Sequence, residues 1–140
     1  MTKKRTKTLK QWKALADKVF CEYIRQLFAD QNGRVICVTC GIIKSWKEMQ
    51  NGHYFARNKL GTRFHEMNCH PQCPACNVFR SGNYTAYAAF MFKKYGPEKM
   101  EWLENLSRQS PKFTRGDYEV MITDWRAKIN INERARKFIK

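Results

Sequence analysis

Two Cys-x-x-Cys pairs, Cys37/Cys40 and Cys73/Cys76, constrain this chain more than anything else in it. A two-residue spacer lets a tight turn aim both thiolates at one ion, and two such turns complete a tetrahedral set of soft ligands. The pairs are separated by 32 residues, 41–72. Four thiolates leave no open coordination position, so the ion, zinc, is structural, and its binding contributes on the order of 10 kcal/mol to folding. The segment between the pairs needs that stabilisation, because it is rich in glycine and polar residues and offers little apolar area. Disulfides would be the other use of close cysteines. The N-terminus, MTKKRTKTLK, leads into an amphipathic pattern rather than an apolar signal core, and no apolar run approaches the roughly 18 residues of a membrane span. The expectation is a protein that stays where it is made, in a reducing cytoplasm, without a membrane partner. Cys21 then reads as a small core residue, and Cys69 as an alternative ligand beside the second pair.

Charge narrows the partner. Lys and Arg number 27 against 12 Asp and Glu, a formal net charge of +15, which concentrates polyanions and makes nucleic acid the default ligand. With 140 residues the chain fits one compact domain. Residues 1–10 carry Lys3, Lys4, Arg5, Lys7 and Lys10 and read as a flexible basic arm ahead of a single domain, 11–140. From Leu9 to about Asp30 the apolar residues Leu9, Trp12, Leu15, Val19, Tyr23, Ile24, Leu27 and Phe28 recur mostly at helical steps, and Asn32-Gly33 closes that N-terminal element at 33. Arg34 to Ile43 reads as a hairpin whose turn holds a metal, and the stretch from Trp46 to Phe64 as a second hairpin plus loop. Tyr84 to Tyr95 forms a helical stripe that stops at Gly96, Pro97 opens a further helix to about Arg108, and Thr114 caps a last one running to about Phe138. The zinc core thus occupies 34–96 and the C-terminal helices 97–140. Three of the four tryptophans, Trp12, Trp102 and Trp125, fall in helical segments and read as core; Trp46 is free to stack on a base.

Two further residues carry chemistry. Asn77 directly follows the second pair, at the start of a helix, where an amide oxygen can ligate a second, harder ion such as Mg²⁺. His53, in Asn51-Gly52-His53-Tyr54, has the ordinary pKa that lets an imidazole take a proton from water at neutral pH.

The order Cys-x-x-Cys, His53, Asn68, Cys-x-x-Cys-Asn77 resembles the zinc-containing HNH, or His-Me finger, nucleases. More narrowly, Gly52-His53-Tyr54, Arg63-Phe64, Glu66, Asn68, His70, Gln72-Cys73, Cys76-Asn77 and Ser81-Gly82-Asn83 resemble the phage NinG/Rap recombination proteins, which act on branched DNA such as Holliday junctions. The narrow resemblance covers about 37–106. It implies an α+β, mainly α fold: a treble-clef ββα-metal core stapled by the four-cysteine zinc site, with N-terminal and C-terminal helices. It implies that His53 activates water for in-line attack on a phosphate, that Asn77 helps hold a catalytic Mg²⁺ or Mn²⁺ ion, and that Asn68 fixes the hairpin and the orientation of His53. Many relatives of this kind carry Asp or His just before the catalytic histidine, where this chain has Gly52. Glu66, placed in the strand antiparallel to His53, is the carboxylate expected to fill that gap, with His65 and His70 as alternatives.

For DNA contacts the residues are Arg57, Lys59, Arg63 and Arg80 around the site, Lys3, Lys4, Arg5 and Lys7 in the arm, and Arg134, Arg136 and Lys137 at the C-terminus. A four-way junction offers two symmetric strands, so a two-fold homodimer is the expected assembly. The resulting expectation is a metal-dependent endonuclease of branched DNA, working in the cytoplasm of a bacterial host if phage-encoded. The rivals are a non-catalytic zinc protein that binds DNA or RNA, and a sequence-specific HNH endonuclease.

Overall fold

The computed structural model describes residues 3–138. Helix α1 (Leu9–Leu27) begins at a reciprocal cap: the Thr8 hydroxyl accepts from the Gln11 amide (3.2 Å), and the Gln11 side chain accepts from the Thr8 amide (2.9 Å). Two orphan donors are thereby satisfied at once. The helix takes over the last two residues of the segment assigned to the basic arm; Met1 and Thr2 lie outside the described residues. It ends at Leu27, three residues earlier than the apolar pattern implies. Phe28 leaves the helical stripe to lie 5.4 Å from the His70 ring.

The apolar stripe of α1 meets α4 (Arg115–Phe138), and Ala16, Val19, Phe20, Tyr23 and Ile24 pack with Tyr118, Ile122, Trp125 and Ile129. Arg115, at the start of α4, covers Trp12 near the start of α1, whereas Arg136 reaches Gln26 at the other end. The two helices therefore run side by side in the same direction. Burying a side chain such as Phe20 stabilises the fold by about 1.5–3 kcal/mol, so this pair is a conventional apolar core. Thr114 and Asp117 cap α4 as its sequence implies, the Asp117 amide donating to the Thr114 hydroxyl and the Thr114 amide to the Asp117 carboxylate.

In chain order, two antiparallel hairpins come between these helices. Strands β1 (Arg34–Ile36) and β2 (Ile43–Ser45) flank the turn that carries Cys37 and Cys40. Strand β3 (Gln50–His53) pairs with β4 (Cys69–Gln72), not with a strand inside 46–64, so the second hairpin is wider than its sequence implies. Its connection holds the short helix α2 (Leu60–Arg63) and a 3-10 turn, Glu66–Asn68. Glu66 is accordingly not in the strand opposite His53; Cys69 is. After β4 a π-helical turn, Ala75–Phe79, carries Cys76 and leads into α3 (Tyr84–Ser107). Gly96, at φ 81° and ψ 166°, breaks α3 where the sequence places a stop. The result is a mainly helical α+β fold around a treble-clef-like core stapled by four cysteines. Trp125 is buried in the helix pair, while Trp102 is half in solvent.

Candidate active site and metal centre

The four sulfurs of Cys37, Cys40, Cys73 and Cys76 lie within 4.8 Å of one another, with Cys40 and Cys73 Sγ 3.7 Å apart. Sulfurs at Zn–S distances of about 2.3 Å in a tetrahedron are separated by roughly 3.8 Å, so the residues fit zinc. Polar groups turn toward the sulfurs: Thr39 Oγ1 lies 3.4 Å from Cys37, and Asn83 Nδ2 and Arg80 Nη1 donate to Cys76 at 3.6 and 3.7 Å. Burial opposes ionisation of Cys37, but the Thr39 hydroxyl and backbone amides outweigh it and bring that thiol down to about 6. The Ile42 amide lowers Cys40, yet burial and the three neighbouring sulfurs together push it up to about 12. A cluster that ionises its first thiol easily and resists losing its last is one whose accumulated charge a divalent cation neutralises. Cys69, the alternative ligand, is fully buried among α1, α4 and Phe64 and belongs to the apolar core instead. It sits opposite His53 in the ladder, and its sulfur is not one of the four that cluster.

The β3–β4 ladder presents two chemically different faces, because side chains alternate along a strand and directly paired residues share a face. His53 and Cys69 form one pair of the face toward α1. His53 Nε2 donates to the Arg63 carbonyl (2.9 Å), and Cys69 Sγ turns to the same oxygen (3.7 Å). A carbonyl only accepts, so Nε2 carries the proton and Nδ1 is left with the lone pair. Burial leads the shift of His53 below its ordinary value, the Arg63 carbonyl opposes it, and the charges of Arg57 and Arg63 add to it. At neutral pH the ring is therefore a neutral base. Arg63 is anchored by Asp17 of α1, its Nε donating to Oδ1 at 2.8 Å, and Arg57 Nη2 reaches the same carboxylate at 3.0 Å. Burial raises the Asp17 carboxyl, but the Arg63 hydrogen bonds and both guanidinium charges outweigh it and hold it below its usual value.

Asn68 is fully buried and clamps the connection between the strands. Its Oδ1 accepts from the Phe55 amide (2.8 Å), and its Nδ2 donates to the carbonyls of Phe55 (3.0 Å) and Thr62 (3.1 Å). Its side-chain hydrogen bonds go to Phe55 and Thr62 rather than to His53, and so fix the loop whose next carbonyl, that of Arg63, holds the ring.

Gln50, Gly52, His70 and Gln72 make the other face. A Cβ on Gly52 would stand 2.0 Å from Gln72 Oε1 and 2.6 Å from its Cδ. Gln72 thus occupies the space of the side chain that residue 52 lacks. Its Nε2 donates to the Gly82 carbonyl (2.8 Å) and to Thr39 Oγ1 (3.1 Å), which leaves Oε1 buried and unpaired. Across the ladder, Gln50 Oε1 accepts from Asn77 Nδ2 (2.7 Å) and turns the Asn77 amide. Tyr87 donates to the Gly52 carbonyl (2.7 Å); His70 Nδ1 then donates to Tyr87 Oη (3.0 Å), and His70 Nε2 accepts from Tyr95 Oη (2.7 Å). Burial, with the Lys94 charge added, depresses His70 to about 3.

The sequence-picked residues are thus divided. His53 and Asn77 address opposite faces of the hairpin, and Glu66 is committed elsewhere, accepting from Tyr23 Oη (2.6 Å) with Lys128 Nζ 3.9 Å away. His65 lies against Trp102. Of the arginines, Arg63 and Arg136 are used inside the protein: Arg63 is mostly buried and paired with Asp17, and Arg136 donates to Gln26 Oε1 (2.8 Å), the Gln26 carbonyl (2.6 Å) and the Asp30 carbonyl (3.3 Å), satisfying the end of α1. Lys3, Lys4, Arg5, Lys7, Arg57, Lys59, Arg80, Arg134 and Lys137 are exposed. Asp17, Gln50, Gln72 and Tyr87 were not legible as site residues, and His70, an alternative ligand by sequence, is held between Tyr87 and Tyr95 instead. Asp17 had one signal, a carboxylate set directly beside the buried stripe of an otherwise lysine-rich helix start.

Among curated proteins, the chain is similar to protein ninG of Escherichia phage lambda, 35% identical over 72 residues, 49% of this chain and 34% of that protein. It is also similar to protein ninG of Salmonella phage P22, 28% identical over 99 residues, 64% of this chain and 47% of that protein. The aligned stretches thus span a third to about a half of those relatives. No solved structure matches. The family model described as Bacteriophage Lambda NinG protein matches residues 1–135, nearly the whole sequence from the basic N-terminus through the cysteine cluster to α4, and the chain belongs to that family.

Proposed function

We propose that this chain is a structure-selective DNA endonuclease that hydrolyses phosphodiesters in branched DNA, Holliday junctions among them, with His53 as general base. The observation that carries the reading is the hydrogen bond from His53 Nε2 to the Arg63 carbonyl. It fixes the tautomer, leaves Nδ1 to take a proton from water, and burial keeps the ring neutral. Asn68 acts through the loop, holding the carbonyl that holds the ring. Arg57 and Arg63 supply positive charge beside the base, where a scissile phosphate would be drawn. The four-cysteine zinc site keeps β1–β2 and the Ala75–Phe79 turn in place and takes no part in the chemistry.

Family resemblance also implies a hydrolytic Mg²⁺ or Mn²⁺, which when bound stabilises the charge on the phosphorane and leaving oxygen. The orphaned Gln72 Oε1 over Gly52, together with the Asn77 amide turned by Gln50, offers hard oxygen donors of the kind such an ion takes. Gln72 stands here where the sequence pattern suggested Glu66. The nuclease unit begins with α1 at Leu9 behind the basic residues that precede it, acts as a two-fold dimer on a two-fold junction, and works in the host cytoplasm. Among the described residues no helix is long and apolar enough to cross a membrane.

A second reading is favoured by one observation: His53 and Asn77 serve opposite faces of the hairpin, as they would in a zinc scaffold that binds DNA or RNA without cutting it. Cleavage of a synthetic four-way junction against linear duplex of matching sequence, in Mg²⁺ and Mn²⁺, decides between them. Wild type is expected to cut the junction. His53→Ala, at equal zinc content, is expected to bind as well and cut roughly 10²–10⁴-fold more slowly. Binding without cutting by the wild type selects the scaffold.

A further inference from the structure

Phe79 has no part in the chemistry above, yet it is 84% exposed, and Val78 beside it is 56% exposed. Their position is not a loose loop. They end the Ala75–Phe79 turn, which is anchored by Cys76 in the metal cluster and closed by hydrogen bonds from the Arg80 amide to the Ala75 carbonyl and from the Gly82 amide to the Cys76 carbonyl, both 2.9 Å. The next residues hold the turn in a costly shape: Ser81, Gly82 and Asn83 all have positive φ, at 49°, 91° and 47°. Left-handed backbone at non-glycine residues persists only where the surroundings enforce it. Here the Asn83 amide on Cys76 Sγ and the Gln72 amide on the Gly82 carbonyl do so. An aromatic ring is thereby presented to solvent on a metal-anchored turn, next to Arg80, an exposed residue whose Nη1 also turns to Cys76 Sγ.

We propose that Phe79 is a base-stacking residue: held out on the metal-anchored turn beside Arg80, it takes an unstacked nucleobase of a DNA branch point while Arg80 meets the adjoining phosphate. This rests on the reading of the chain as a protein of branched DNA. The charge of Arg80, in a chain carrying +15 overall, matches a polyanion rather than an apolar protein partner. Every base has a π-face, so a ring on a fixed backbone recognises the loss of stacking without regard to sequence, and its rigidity spares the entropy of ordering it. Inside a continuous duplex that face is covered, and Phe79 has nothing to stack on.

The test uses the full zinc-loaded chain with Ca²⁺ in place of Mg²⁺, so that no cleavage is needed. The probes are a four-way junction with 2-aminopurine at the branch and a linear duplex with 2-aminopurine at an internal position. Phe79→Ala is expected to weaken junction binding about tenfold, to leave duplex binding unchanged and to abolish the fluorescence change at the branch; Phe79→Trp is expected to restore both. Junction binding that does not depend on Phe79, an equal loss on both probes, or a drop in sedimentation coefficient with Phe79→Ala, which would make it a contact between copies of the chain, overturns this inference alone. Failure of the wild type to bind either probe overturns the DNA reading and this inference with it.

Discussion

The two faces of the β3–β4 hairpin are held by different physics. Toward α1 and α4, Cys69 and Phe64 join a core of aliphatic and aromatic side chains contributed by two 3.6-periodic helices. Toward the metal cluster and α3, the apolar packing is split between Val35, Met49 and the cysteines on one side and Tyr87, Met91, Met100 and Leu103 on the other, and geometry is kept by thiolates, amides and a histidine between two tyrosines. The first kind of packing tolerates changes of shape in proportion to volume, whereas the second is all-or-none, because a tetrahedral site missing one ligand or a buried polar group missing its partner loses most of its stabilisation at once. The candidate base, His53, belongs to the first face and the candidate ligand, Asn77, to the second. The proposed activity requires both kinds of order to be intact together.

The largest contrast is expected from Cys76→Ser. Loss of one thiolate should remove zinc, at a cost on the order of 10 kcal/mol, and amide exchange at 34–49 and 73–83 should become fast. If the α1/α4 amides lose protection to the same extent, the two faces are one cooperative unit and the distinction drawn here breaks. Phe20→Ala is the reciprocal probe. It should cost about 3–5 kcal/mol in chemical denaturation while zinc stoichiometry stays at one per chain; loss of zinc from the folded variant would show that the helix pair, not the cysteines, organises the metal side. The smallest expected effect, about 1.4 kcal/mol over any one pH unit, is a pH dependence. His70, fully buried, has its pKa depressed to about 3, so between that value and the ordinary imidazole value near 6.5 the unfolded chain binds a proton that the native chain refuses. This contribution is fully present above about pH 6.5 and falls by about 1.4 kcal/mol per pH unit as acid is added. His70→Asn at saturating zinc should flatten the slope of stability against pH in that window. An unchanged slope would assign acid lability to other groups, the thiolates and the likewise depressed His53 and His65.

Local features were legible in the chain. The apolar stripes predicted α1, the two halves of α3 and α4 close to their observed limits, and the Thr114 cap was correct, because capping and 3.6-residue periodicity are decided within a few residues. The cysteine site was legible for the same reason. The partner of β3 was not. A strand of four residues carries too little alternation to reveal its mate, and β4, HPQ between two cysteines, is buried on both sides, its polar His70 and Gln72 included. With that register unknown, Glu66 was placed in a strand instead of the 3-10 turn, where it meets Tyr23 and Lys128. Arg136 was counted as surface charge because nothing local marks it as the residue that completes the end of α1.

What the sequence determined alone is the metal: four thiolates at two-residue spacings specify a tetrahedral ion wherever the chain goes. It also determined the family, through residues that cluster around those cysteines. Only the tertiary structure decided what surrounds the reactive groups. Pairing of β3 with a strand from beyond a fifteen-residue connection, 54–68, sets His53 against the Arg63 carbonyl and Asp17's arginines, and gives Gly52 its reason, since Gln72 fills the place of its side chain. A one-residue slip would exchange the two faces. That register is fixed by burial on both sides at once, a property of the assembled molecule that no single segment contains.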